Sequence, residues 1–300
     1  MTSTTLNKSL LLLRQLGFIF SNITGSKLPK TILRRLFRYA QSDVLVTNFD
    51  GDLSISLNLS EHMQRRIFWM GYYNEEIANV LSQYLTLNMV VLDIGANIGE
   101  ITLLAAKRVG KHGRVYAFEP MDNIANKLTQ HIELNHFTQV EVYRCALGNK
   151  PNSQIAIYSS CGQQSNDKNE GLGSLYSKNN QEKPIQYVEL TTMDIWVSQQ
   201  PNIHKIDLIK IDIEGAELAC LQGAKQTLKK FKPKIIIEIQ DFSAERAGYK
   251  AIDIIDLLSD LSYEFFRIEK AGKLIPITRA DLLDFQNVLC IHHEDPNQIP

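Results

Sequence analysis

Val90-Val91-Leu92-Asp93-Ile94-Gly95-Ala96-Asn97-Ile98-Gly99-Glu100 decides how this chain folds. An apolar run ends in a carboxylate, a glycine-rich turn follows, and helical spacing opens near Ile98. Gly95 and Gly99 let a ligand approach the backbone closely at the carboxyl end of a strand. A nucleotide-type cofactor is the natural occupant of such a turn.

Outward from that turn, strand-like and helical runs alternate. The strands read Val90–Ile94, Arg114–Phe118, Val140–Arg144, Ile206–Ile211 and Lys234–Ile239, with Tyr263–Ile268 and Asn287–His292 after them. Helical spacing covers Ile98–Val109, Asp122–Leu134, Ala216–Lys229 and Ala251–Leu261. Nearly continuous apolar strands are those covered by helices on both faces. The prediction is a doubly wound, mostly parallel seven-stranded α/β sheet. Too little helix separates the last two strands for an easy crossover, so the last is expected to run antiparallel.

The rhythm breaks once, over residues 151–200. Two alternating runs, Ser153–Tyr158 and Ile185–Leu190, flank a polar stretch from Ser159 to Pro184 that includes Gly171-Leu172-Gly173-Ser174-Leu175-Tyr176. Loops this long inside a compact domain usually form lids or binding segments. The stretch is expected to face substrate.

The front of the chain differs in character, so residues 1–64 are set apart from a main domain over 65–300. The main domain carries the 151–200 insertion. Residues 1–42 hold seven Lys and Arg and no acid, whereas the remainder has 25 basic against 33 acidic groups. The apolar run Leu10–Phe20 is short and interrupted by Arg14, and a membrane span needs about 20 apolar residues. Neither a span nor a secretory leader is read there. Lys30–Arg38 places Ile32, Leu33, Leu36 and Phe37 opposite Arg34, Arg35 and Arg38 at helical spacing. That pattern suits a helix packed on the domain or in a homodimer, and it leaves open a peripheral membrane contact through residues 1–40. Asp43–Leu59 alternates about Asp50-Gly51, the turn chemistry of a hairpin. A helix is expected over Ser60–Leu85.

Length and composition narrow the class further. Three hundred residues with 44% hydrophobic and 22% charged side chains bury a sizeable core and exclude a disordered chain. The net charge of −1 gives no basic footprint for nucleic acid. Cys145, Cys161, Cys220 and Cys290 lack metal-ligand or disulfide spacing, which reads as reduced thiols in the cytoplasm. The seven histidines form no triad and no metal pattern, so no metal ligand is assigned.

The choice of cofactor rests on charge. A nicotinamide dinucleotide brings a diphosphate, which needs free backbone N–H groups and no competing anion. Here Asp93 replaces the first glycine of the dinucleotide fingerprint, and Glu100 opens the helix. Both would repel a diphosphate and suit the cationic S-adenosylmethionine. Glu119, twenty residues after Gly99, ends the second strand in Phe118-Glu119-Pro120 and is placed to accept both ribose hydroxyls of an adenosine. Cys145-Ala146-Leu147-Gly148 is read either as lining the adenine through Ala146 or as a simple left-handed turn at Gly148.

Acids cluster again at the fourth strand, in Lys210-Ile211-Asp212-Ile213-Glu214-Gly215-Ala216-Glu217. Asp212 and Glu214 share a side if the strand continues. Glu217 is read as charge complementing a helix N-terminus. Glu238, inside the apolar fifth strand, is costly unless paired or solvated, and so belongs to the cleft. Asp212 is the candidate base, with Glu214 or Glu238 raising its proton affinity by like-charge proximity.

Together Asp93–Gly99, Phe118-Glu119-Pro120, Thr192-Met193-Asp194 and Ile209–Gly215 resemble the FkbM family of S-adenosylmethionine-dependent methyltransferases, over roughly residues 65–240. Gly71-Tyr72-Tyr73-Asn74-Glu75 is similar to the entry segment of that family. The resemblance implies the class I methyltransferase sheet and O-methylation of a hydroxyl on a sugar, glycan or natural product. It assigns Asp93, Gly95 and Glu119 to the cofactor, with Asp212 by the transferred methyl; Glu75, Asn97, Gly99 and Ala146 complete the expected cofactor set. A divalent metal assisting deprotonation, an NAD-linked oxidoreductase, and a non-catalytic methyltransferase-like binding protein are the alternatives weighed.

Overall fold

The computed structural model describes residues 3–159, 173–177 and 182–295. Most of the polar stretch expected to face substrate, residues 160–172 and 178–181 with Cys161, lies outside them. The chain divides into two compact units, one reaching to Glu75 and taking in Glu133–His136, the other formed mainly by the chain beyond Glu75.

In the first unit, α1 (Ser3–Thr24) and α2 (Leu28–Leu36) precede the hairpin of β1 (Asp43–Phe49) and β2 (Leu53–Asn58). Asp50 (φ 47°) and Gly51 (φ 97°) make the turn with the positive φ that Asp-Gly tolerates. The expected helix over Ser60–Leu85 is two helices, α3 (His62–Met70) and α4 (Glu75–Tyr84). Gly71, at φ 103°, leaves the helical region and ends α3. The first compact unit reaches Glu75 and so contains α3. Its Ile67, Phe68 and Trp69 are buried, and Phe37 stacks on Trp69 with ring centroids 5.6 Å apart. Arg14, read as an interruption, is an anchor. Its Nε donates to Phe68 O at 2.8 Å and its Nη1 to Asn48 Oδ1 at 2.8 Å, while burial lowers its pKa to about 10. No helix among the described residues is long and apolar enough to cross a membrane.

The second unit alternates strand and helix as the sequence predicts. In chain order it runs β3 (Val90–Ile94), α5 (Glu100–Val109), β4 (Arg114–Phe118), α6 (Asp122–Leu134) and β5 (Val140–Tyr143). The inserted segment comes next: β6 (Cys145–Leu147), β7 (Asn152–Ser159), β8 (Gly173–Ser174), β9 (Gln186–Thr191) and α7 (Met193–Ser198). Then come β10 (Leu208–Ile211), α8 (Glu217–Gln222), α9 (Lys225–Phe231), β11 (Lys234–Gln240), α10 (Asp241–Arg246) and α11 (Ile252–Ser259). The chain closes with β12 (Tyr263–Ile268), β13 (Leu274–Ile277) and β14 (Phe285–His292).

The main sheet has eight strands, not seven, in the order β13-β12-β14-β11-β10-β3-β4-β5. Its centre is parallel from β11 to β5, and β14 runs antiparallel between β11 and β12. The eighth strand, β13, pairs antiparallel with β12 at the edge. It was missed because Leu274–Ile277 contains Pro276, which a strand tolerates best at an edge. Alternate residues of β4 serve opposite faces: Tyr116 and Phe118 enter the larger core cluster, Ala117 the smaller one with Leu128 and Ile132.

The insertion is a second sheet, β6-β9-β7-β8, in which the two alternating runs, Ser153–Tyr158 and Ile185–Leu190, supply the antiparallel pair β7 and β9. Trp196 of α7 fixes it to the main sheet, with ring centroids 5.2, 4.9 and 5.1 Å from Tyr116, Phe118 and Tyr143. Trp196→Ala is expected to cost about 3–5 kcal/mol, as large aromatic truncations in cores do. A urea titration followed by far-ultraviolet circular dichroism measures this, and an unchanged midpoint would contradict the anchoring role.

Candidate active site

Strand register builds the site. In the parallel ladder Ile211 stands opposite Ile94 and Ile237, and Ile94 stands opposite Phe118. The next residue on each of the four neighbouring strands is therefore Glu119, Gly95, Asp212 or Glu238. Sequence reading chose all four, and the fold brings them to one rim at the strands' carboxyl ends, where ligands bind in open α/β sheets.

The turn after β3 is closed upon itself. Gly95 N and Ala96 N both donate to Phe118 O at 3.0 Å, and Asn97 N donates to Glu119 Oε2 at 2.9 Å. Ile98 N donates to Asn97 Oδ1 at 2.7 Å, and Gly99 N to Ala96 O at 2.9 Å. All five backbone donors are thus engaged inside the protein. A diphosphate at this turn would have to displace them. Gly95 (φ 77°) admits no side chain, since a Cβ there would lie 2.0 Å from Asp212 O. His131 Nδ1 lies 2.7 Å from Ile98 O and ties α6 to the same turn. The absence of a triad or metal pattern among the histidines gave no signal of that positioning role.

Lys210 is the residue whose part the sequence reading did not see. It lies beside Asp93 in register on β10, and it is 3% exposed. Its Nζ donates to Gly95 O at 2.8 Å and stands 3.6 Å from Asp93 Oδ1 and 3.7 Å from Asp212 Oδ2. Burial alone would lower its pKa. The adjacent Asp212, Asp93 and Glu238 reverse that and hold its pKa above the ordinary lysine value. Asp93, expected at the cofactor, is entirely buried, accepts from Thr102 Oγ1 at 2.6 Å and pairs with Lys210. The detectable signal was the i, i+2 spacing of Lys210 and Asp212, which puts a cation and an anion on one strand face.

The proposed strand continuation through Glu214 is corrected. β10 ends at Ile211, and Glu214 (φ 53°) with Gly215 (φ 104°) forms a turn. Period-two alternation does not apply there. Glu217 holds that turn, accepting from Ile213 N at 2.9 Å, Gly215 N at 3.0 Å and Tyr249 Oη at 3.2 Å. The described part of the insertion reaches the same turn: Ser174 Oγ donates to Glu214 O at 2.9 Å, and Arg246 Nε donates to Tyr176 O at 2.8 Å.

These surroundings separate the carboxyl groups. Burial pushes Glu119 up to about 7 against the pull of its two backbone N–H bonds. Glu238 is raised well above the usual carboxylate range, first by burial and then by Asp212, Glu214 and Glu217. The like-charge effect assigned to Asp212 therefore falls on Glu238. Ala146 is buried opposite Leu190 in the inserted sheet, and Glu75 pairs with Lys27 in the first unit. Gly148 is not a left-handed turn. It continues the β6–β9 pairing through Gly148 N to Thr191 O at 2.9 Å. In Thr192-Met193-Asp194, Thr192 caps α7 while Asp194 accepts from Gln226 N and Thr227 N at the start of α9. Among the described residues no group of three or more His, Cys, Asp and Glu side chains is arranged to hold a metal ion.

Lys210→Met should destabilise the fold by about 3–5 kcal/mol, because it strands two acids in the interior. Chemical denaturation reads the loss, and a wild-type midpoint would show that the ion pairs carry no weight. Gly95→Ala should also fail to reach wild-type stability, since both the contact and the φ angle oppose it.

Residues 93–265 match the profile of the methyltransferase FkbM domain. Methyltransferase 1 of Beauveria bassiana is 24% identical over 176 residues, which cover 54% of this chain and 69% of that protein. Methyltransferase sdnD of Sordaria araneosa is 25% identical over 213 residues, 64% of this chain and 78% of that protein. A crystal structure of methyltransferase FkbM from Methylobacillus flagellatus superposes with a TM-score of 0.44 at 17% identity, over 77% of this chain and 54% of that one.

Proposed function

The chain belongs to the methyltransferase FkbM domain family, and on that premise we propose that it methylates a hydroxyl oxygen of a sugar, glycan or natural product with S-adenosylmethionine as donor. The observation that carries this reading is the rim itself: Glu119, Asp212 and Glu238 line it, and the turn between them offers no spare backbone donor from residues 95–99. Such a donor set fits a cationic nucleoside and disfavours a diphosphate. When bound, S-adenosylmethionine supplies a methyl group already activated on a sulfonium sulfur.

Glu119 and the Gly95–Gly99 turn would hold that cofactor. An alcohol is a weak nucleophile at neutral pH, so a side chain must take its proton as the carbon–oxygen bond forms. Glu238 suits that task better than Asp212, because its raised proton affinity narrows the gap to the alcohol. Asp212, 3.7 Å from Lys210, is one of the neighbours that raise the proton affinity of Glu238. The Ser174–Tyr176 segment, held at the Glu214 turn, positions the insertion to shape the acceptor side.

Isothermal titration should show S-adenosylhomocysteine binding and no heat with NAD; the converse result would overturn the cofactor assignment. Affinity for S-adenosylhomocysteine should rise with pH through about 7, because ribose hydroxyls donate to the ionised form of Glu119. A flat profile would remove Glu119 from that contact.

A labelled-methyl screen against a panel of hydroxylated metabolites and glycans identifies the acceptor. With that acceptor in hand, Glu238→Gln is expected to lower kcat by about 10²–10⁴, the usual contribution of a positioned base, while S-adenosylhomocysteine still binds. The wild-type rate should rise with pH above the ordinary carboxylate range, as Glu238 ionises. Asp212→Asn should move that limb to lower pH by removing a neighbouring negative charge. An unmoved limb would exclude Glu238 as the titrating group.

A further inference from the structure

The first 42 residues contain no acid and seven basic side chains, and their two helices leave large apolar groups in solvent. On α1, Leu12, Leu16, Ile19, Phe20 and Ile23 are exposed, spaced i, i+4, i+7, i+8 and i+11. They occupy one stripe about 100° wide by the 3.6-residue period. The opposite side of α1 carries buried Leu10, Arg14 and Ser21, so the stripe is not the face that packs on the unit. On α2, Leu28, Ile32 and Leu36 are exposed at i, i+4 and i+8, with Tyr39 three residues further on. The other side of α2 is engaged: Leu33 lies against Gly17, and Phe37 stacks on Trp69. Each helix therefore has one apolar face that is packed and one that is open.

We propose that this open surface docks on an anionic lipid bilayer, lying in the headgroup region without crossing it. Two features favour that occupant. Exposed Lys8, Arg35 and Arg38 accompany the apolar stripes, the combination by which interfacial helices bind acidic membranes. A second copy of the chain is a poor partner for the same surface, because a two-fold contact would bring two acid-free basic segments together. The physical consequence is a methyltransferase held at a membrane surface by its first unit.

Flotation of the full chain with vesicles tests this. Vesicles of phosphatidylcholine with phosphatidylserine should carry the protein upward at low salt, and vesicles of phosphatidylcholine alone should carry little. Ile19→Ser with Ile23→Ser should reduce flotation by about tenfold, and Arg35→Glu with Arg38→Glu by a similar factor, since apolar burial and charge both contribute. All these side chains are exposed, and circular dichroism with the thermal midpoint controls for folding. Failure of the wild-type chain to float with either vesicle overturns the proposal, as does equal flotation of the variants. Sedimentation analysis without lipid supplies a further arm: a dimer abolished by Ile19→Ser and Ile23→Ser would assign the surface to a second copy instead.

Discussion

One buried ammonium group holds the second unit's chemistry in place. Lys210 joins the end of β3, the glycine turn and the end of β10 through Gly95 O, Asp93 and Asp212. A charge in the interior is tolerated only when opposite charges and hydrogen bonds replace its lost hydration. Here the replacement fixes where Gly95 and Asp212 stand relative to one another. The same contact gives the fully buried Asp93 its charged partner.

The sums of charge around Lys210 do not cancel. Asp93, Asp212 and Glu238 all act on it, and Glu214 and Glu217 act on Glu238 as well. Burial first, and then this surplus of negative charge, raise the proton affinity of Glu238. Glu119 obeys the same logic on the other side of the turn, although two backbone N–H groups partly compensate its burial. Two carboxyl groups on one rim are therefore raised, and Glu217, raised as well by its burial, serves as a bracket for the 213–215 turn.

The elements added around the sheet do different work. The insertion is tethered at its base by Trp196 against three aromatic rings and by Asp194 at the start of α9, and its described tip reaches the Glu214 turn. The first unit, by contrast, is organised about Arg14 and the Phe37–Trp69 stack, and much of its apolar helix surface is left open.

Local pattern was enough for the alternation of strands and helices, for the Asp50-Gly51 hairpin turn and for the acids that line the rim. Each depends on periodicity, turn geometry or a charge interrupting an apolar run, and those are properties of neighbours along the chain. Pairing across the sheet settled the rest. Register alone made Lys210 the partner of Asp93, ended β10 before Glu214, and set Glu238 next to Asp212. It also added β13 to the edge and moved Ala146 into the inserted sheet, while helix packing gave Arg14 its carbonyl partner on α3. Such outcomes depend on which distant groups share a low-dielectric interior, and a linear pattern carries no record of that.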